Sequence, residues 1–195
     1  MKSTKRFSAH HNRVIPMQVF TERTHVRSRR VTQGGVEASS GRVNCDLSVQ
    51  VNGVVIPASM CMLPSGELVL INMFGDVYVG NAAGIASVVN AEYGAGDVTV
   101  CSEDGCTPLQ GVEEQPAYAK LAGVIHVLVD GSPVSEVTLR RYDGYFIVLR
   151  AYREPVAIPE DQLAETLANW LCGNRQCTVT LVECPPDAPC RKLQL

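Results

Sequence analysis

Between Arg42 and Lys120 the chain has no lysine and no arginine. A stretch that long without a cation offers nothing to neutralise phosphates, so the acidic body argues against nucleic-acid binding without the basic arm. Long apolar runs are missing too. The longest, residues 54–63 and 68–74, fall well short of the roughly 18 to 20 residues a spanning helix needs, and the first contains Pro57. No membrane span is expected. Behind Lys2, Lys5 and Arg6 the residues Phe7-Ser8-Ala9-His10-His11 lack the apolar core of a secretory signal, so export by that route is not expected.

Catalytic patterns are equally scarce. Gly94-Ala95-Gly96 follows a helix-like segment instead of opening one, and it lacks the third glycine of a dinucleotide loop. There is no phosphate-cradling Gly-Lys-Ser element and no helix with paired histidines. Three of the four histidines fall within the first 25 residues; the fourth, His126, reads as an ordinary strand residue. Glu113 and Glu114 read as solvated linker charge. No cofactor and no metal site is expected, and the absence of a nucleophile–base pattern leans against an enzyme.

What is present is enough apolar material to fold. Of 195 residues 46% are apolar and 19% charged, which excludes wholesale disorder and allows one large or two small domains. The charge is segregated. Residues 1–30 carry eight cations, Lys2, Lys5, Arg6, Arg13, Arg23, Arg27, Arg29 and Arg30, against the single acid Glu22; the other 165 residues hold nine cations and nineteen acids. A basic arm precedes an acidic body. The arm can be an extended phosphate-neutralising segment, an organelle transit peptide, or a solvated tail that contacts the acidic body of its own chain or a neighbour. Its apolar patch, Val14-Ile15-Pro16-Met17 with Val19-Phe20, suits docking on a partner better than pure electrostatics.

Self-similarity organises the body. At an offset of 78 and without a gap, Val49-Gln50-Val51-Asn52-Gly53 lies on Val127-Leu128-Val129-Asp130-Gly131, and Leu68-Val69-Leu70-Ile71 on Phe146-Ile147-Val148-Leu149. Phe74 then meets Tyr152, while Ile85 and Val89 meet Leu163 and Leu167. In each segment Asn-Gly or Asp-Gly marks a tight hairpin, two further strands follow (55–62 and 67–74, or 134–142 and 145–152), and the apolar period then switches to that of a helix. A last strand covers 97–101 or 176–183. The expected fold is α+β, a tandem duplication of a β-β-β-α-β unit, each an antiparallel meander packed on one helix, preceded by a basic extended arm. The expected boundaries are 1–42 for the arm and its linker, 43–101 for the first unit, 102–122 for an acidic linker, 123–184 for the second unit and 185–195 for a tail. One meander with one helix buries little, so the halves should pack on each other.

Eight cysteines, Cys45, Cys61, Cys101, Cys106, Cys172, Cys177, Cys184 and Cys190, are many for a chain expected in the cytoplasm or in a virion. The leading expectation is reduced, mostly buried thiols packing as small hydrophobes. Zinc at the C-terminal four is a minor alternative, with gaps at the wide edge of knuckle spacing. A Cys184–Cys190 disulfide requires an oxidising compartment.

The second meander carries Arg140, Arg141, Tyr142, Tyr145, Arg150, Tyr152 and Arg153, where the first has no cation and only Phe74 as an aromatic. Interleaved Arg and Tyr on an exposed sheet can pair phosphates and stack on bases; the ordinary reading is a polar sheet face with cross-strand pairs. The expected function is a non-enzymatic binding protein that engages nucleic acid through the arm cations together with Arg140, Arg141, Tyr145, Arg150 and Arg153. The rival is a structural assembly protein whose arm docks on the acidic body of a neighbouring subunit, with a small enzyme third. Self-association is expected, and a membrane partner is not.

Overall fold

The computed structural model describes residues 41–109 and 115–193, so the expected arm and linker lie outside the described residues except for Gly41 and Arg42. In chain order the elements are β1 (Val43–Asn44), β2 (Leu47–Val51), β3 (Val54–Met62), β4 (Leu68–Asn72), β5 (Val77–Gly80), α1 (Ala82–Tyr93), β6 (Val98–Ser102) and β7 (Gly105–Pro108). They continue as β8 (Tyr118–Lys120), β9 (Val124–Val129), β10 (Ser132–Tyr142), β11 (Tyr145–Arg150), β12 (Arg153–Pro159), α2 (Glu160–Cys172), β13 (Val179–Cys184) and β14 (Arg191–Leu193). The fold is mostly β with two helices among the described residues, an α+β arrangement of two antiparallel sheets. Neither helix is long and apolar enough to cross a membrane.

The local chemistry explains the hairpins. Asn52-Gly53 and Asp130-Gly131 all take positive φ, between 47° and 82°, as the tight turns β2–β3 and β9–β10 require. Asn52 and Asp130 then do the same second job. Each backbone N–H donates to a carbonyl just past a helix, Asp97 or Thr178, and each side-chain Oδ1 accepts from that same residue's N–H at 2.9 or 2.8 Å. The hairpin turn thereby pins the chain where it leaves the helix and enters β6 or β13.

Several strands lie where none is expected. Each sheet has a further strand just before the helix that follows in the chain, β5 or β12, and a hairpin strand at one edge, β7 or β14. The break between β4 and β5 is made by Asn72, whose Oδ1 accepts from the N–H of Phe74 and of Asp76, with Gly75 at φ 79°. In the second sheet the left-handed position at the break between β11 and β12 is filled by Tyr152, φ 60°. An aromatic there gives no turn signal, so the strand reads straight through. The segment 102–122, expected as a linker, contributes β7 and β8, and the expected tail contributes β14.

The sheet orders are β7-β6-β2-β3-β4-β5-β8 and β14-β13-β9-β10-β11-β12-β1. Read along the chain, the two sheets place their strands in the same sequence of roles. The edges are exchanged: β1 leads into the first sheet yet pairs with β12, and β8 leads into the second yet pairs with β5. Each sheet is completed by the strand that precedes the other.

Three apolar cores stack the layers as helix, sheet, sheet, helix. Leu68, Leu70 and Tyr78 face Ile85, Val88 and Val89 of α1, while Leu139, Phe146, Val148 and Ile158 face Leu163 and Leu167 of α2. Between the sheets lie Val69, Ile71, Val77, Val79, Ile147 and Ala157. Strand β4 is buried on both faces, which is why Leu68-Val69-Leu70-Ile71 is a continuous apolar run without alternation.

All eight cysteines are paired, as Cys45–Cys61, Cys101–Cys106, Cys172–Cys177 and Cys184–Cys190. This corrects the expectation of reduced thiols. Strand pairing brings the partners together: Cys101 and Cys106 are opposite each other in the β6–β7 hairpin, and Cys184 and Cys190 close the β13–β14 hairpin. Cys172–Cys177 ties the end of α2 to the segment entering β13. The Cys45–Cys61 pair is different, because both residues are buried in the inter-sheet core. Cys45 hangs from the second sheet through its N–H bond to the Pro155 carbonyl, and Cys61 belongs to β3 of the first.

Candidate functional site

The β11–β12 turn carries two arginines and has a third, Arg42, beside it. Arg150 and Arg153 are cross-strand partners at its base, with Ala151 and Tyr152 at its tip. The Arg150 guanidinium lies over the Trp170 ring of α2 at 4.4 Å, and Arg42, just before β1, approaches the same ring at 5.7 Å. Strand β1 runs along the β12 edge, so the fold delivers a third cation from more than 100 residues away in the chain. Arg150 donates from Nη2 to the Glu154 carbonyl at 2.9 Å, while its Nε is buried without a partner. Burial, then repulsion from Arg153 and Arg42, pulls the Arg150 pKa below its ordinary value, which still leaves the group charged. The ion pairs among the described residues are Lys120–Asp76, Arg141–Glu160 and Arg191–Glu183. None involves Arg42, Arg150 or Arg153.

Next to this cluster lies an open groove of about 840 Å³, where β1, β3 and the two turns β4–β5 and β11–β12 meet. Asn44, Asp46, Ser59, Met73, Arg150, Tyr152 and Arg153 contribute to its walls. Tyr152 is fully exposed, and Phe74, beside Met73 on the facing turn, is 80% exposed. Three cations outside any ion pair among the described residues, beside exposed aromatic rings and with Asp46 and Glu154 on the same groove walls, can bind an anionic group and hold a flat one against it.

Of the site residues expected from the sequence, the structure brings Arg150 and Arg153 together and places the others elsewhere. Successive residues of a strand point to opposite faces, so Arg140 and Arg141 separate. Arg141 pairs with Glu160 at 2.5 Å and lies over Phe146 on the α2 side. Arg140 reaches between the sheets, donating to the Leu139 and Gly75 carbonyls, and burial lowers its pKa against an opposing pull from Asp76. Tyr145 packs against the inter-sheet core. The meander is not an exposed sheet: α2 covers one face and the first sheet the other. The arm residues Lys2, Lys5, Arg6, Arg13, Arg23, Arg27, Arg29 and Arg30 lie outside the described residues. Sequence reasoning missed Arg42 and Trp170, which no local pattern links to the meander.

Tyr142 also points between the sheets and donates to Glu67 Oε1 at 2.5 Å. That bond, burial, and the charges of Glu67 and Asp143 push its pKa up to about 12. An unfolded tyrosine titrates near 10. The protonated donor is the stabilising form, so its contribution is fully present below pH 10 and is lost as pH rises through about 12. The stability difference between the wild type and Tyr142→Phe, read as urea midpoints, should therefore shrink steadily from pH 10 to pH 12. A difference that stays constant over that window would show that the Glu67 bond does not stabilise the fold.

A second polar cluster is internally satisfied. The Tyr78 hydroxyl donates to Glu92 Oε1 at 2.5 Å, which raises the Tyr78 pKa strongly, first through that bond and then through burial. Asn72 Nδ2 donates to Glu92 Oε2 at 3.1 Å, and Lys120 on β8 pairs with Asp76 at 2.9 Å. The cluster fastens the exchanged strand β8 to β5. No group of three or more His, Cys, Asp or Glu side chains among the described residues is arranged to hold a metal ion, and the disulfides leave the C-terminal cysteines no thiolate to offer zinc.

No family model matches the chain, and neither a curated protein nor a solved structure matches it.

Proposed function

We propose that this is a non-enzymatic nucleic-acid-binding protein whose folded body contacts phosphates through Arg42, Arg150 and Arg153, with the basic arm adding sequence-independent affinity. The observation that carries the reading is the arginine cluster around Trp170, which is without a carboxylate partner among the described residues. Cations held next to one another repel, and an anionic ligand relieves that repulsion. The four disulfides support a setting where such bonds persist, which favours a virion or another oxidising environment over the cytoplasm. The matching strand orders support a tandem duplication of a β-β-β-β-α-β-β unit, with the β1 and β8 edges exchanged.

The test is binding of a labelled oligonucleotide as a function of salt. Changing Arg42, Arg150 and Arg153 to Gln should weaken binding and reduce the log–log salt slope by roughly 0.7 to 0.9 for each phosphate no longer neutralised. A chain starting near Gly34 should lose most of the remaining slope. An unchanged slope in the triple variant would reject the cluster as the phosphate site.

The assembly reading keeps one specific support. Strands β1 and β8 already complete sheets they do not lead into, and the same exchange is open to two copies of the chain. Absence of oligonucleotide binding at low salt, with loss of a defined oligomer when the arm is removed, would favour it.

A further inference from the structure

We propose that the groove beside the arginine cluster receives unpaired nucleobases stacked on Tyr152, so that the ligand is single-stranded; this rests on the nucleic-acid reading above. Tyr152 occupies the left-handed region at φ 60°, where a bulky side chain is disfavoured, and its ring packs against nothing, being fully exposed. A residue that is both strained and unburied contributes nothing to the core. The strained turn instead places a flat aromatic face at the wall of the groove, next to Arg150 and Arg153. Met73, 63% exposed, lines the groove from the facing turn.

Charge divides the surface into two roles. Arg150 and Arg153 on the groove wall, with Arg42 near Arg150, attract phosphate, while Asp46 and Glu154, which line the groove as well, repel it. Their carboxylates, with Asn44 and Ser59, can accept or exchange hydrogen bonds with the amino and carbonyl edges of a base. The arrangement places backbone at the arginines and base in the groove, the combination of cation and aromatic platform that single-strand binders use. A duplex hides its base faces in its own stack, so it offers the Tyr152 ring no base to stack on.

The experiment compares labelled single-stranded oligonucleotides, a duplex of the same length and inorganic polyphosphate at one salt concentration, for the full chain and three variants; the salt slope is then read for each by titration. Tyr152→Gly relieves the left-handed φ, so it should fold at least as stably as the wild type yet bind single strands about tenfold more weakly, with an unchanged salt slope. Tyr152→Phe should retain the affinity. Arg150→Gln should lower the slope for every polyanion. Single strands binding no better than the duplex, or Tyr152→Gly binding as the wild type does while polyphosphate still binds, would overturn the stacking inference and leave the anion site standing. Failure of all the polyanions would remove the nucleic-acid reading itself. Self-association abolished by Tyr152→Gly, with no oligonucleotide bound, would assign the turn to a protein contact and also overturn the proposal.

Discussion

Replacing Cys45 and Cys61 together by alanine is expected to lower the unfolding free energy by more than about 3 kcal/mol, the largest loss of the four disulfides. Chain-entropy arithmetic assigns about 3 kcal/mol to closing a loop of this length and about 2 kcal/mol to the 5- and 6-residue separations of the other three. Position adds to length. Both sulfurs are buried between the sheets, so their removal also leaves a cavity among Val69, Ile71 and Val77. Loss of the bridge frees β1 from the first sheet, while its pairing with β12 still holds Arg42 near Trp170. The double variant should therefore show a lower urea midpoint with anion binding retained while it is folded, and a Cys184→Ala/Cys190→Ala variant should show a smaller drop in midpoint. Thiol titration of the denatured wild type should find no free cysteine; eight free thiols would cancel both expectations.

Gly84→Ala should destabilise the protein by about 1–3 kcal/mol, opposite in sign to what its helix predicts. Inside an exposed helix, alanine is favoured over glycine by roughly 1 kcal/mol. Here a Cβ on Gly84 would sit 2.2 Å from the Ala117 carbonyl oxygen, and a neighbouring Cβ on Gly80 would meet the same atom as closely. The obstacle is backbone with little freedom to move. Asn81 N–H donates to the Ala117 carbonyl, Asn81 Oδ1 accepts from both Gly84 and Ala117, and the next residues form β8. Accommodating one methyl means pulling β8 off the β5 edge, an overpacking penalty that exceeds the propensity gain. Urea denaturation decides the sign: a midpoint raised by the substitution would show that the 115–120 segment is not held against α1.

Much of the fold is legible in the chain alone because its signals are local. Asn52-Gly53 and Asp130-Gly131 specify hairpins through their tolerance of positive φ, and Ile85, Val89, Leu163 and Leu167 specify helices through spacing. The basic meander is visible as composition. What composition hides is facing: Arg140 and Arg141 are adjacent in sequence and end on opposite sides of a sheet that is covered on both. The candidate site shows the same limit, since Arg42, Arg150 and Trp170 share no local pattern.

The sequence by itself determined both helices, the two Asn-Gly and Asp-Gly hairpins and the separation of charge, because propensity, periodicity and turn chemistry act over a few residues. Only the tertiary structure decided which cysteines meet, which strands complete which sheet, and which arginines stay uncompensated. Those outcomes depend on contacts between distant segments. Cys45 reaches Cys61 only because β1 crosses to the β12 edge, and Arg42 reaches Trp170 along the same path. Strand exchange is decided by the burial of whole faces, which no window of a few residues contains.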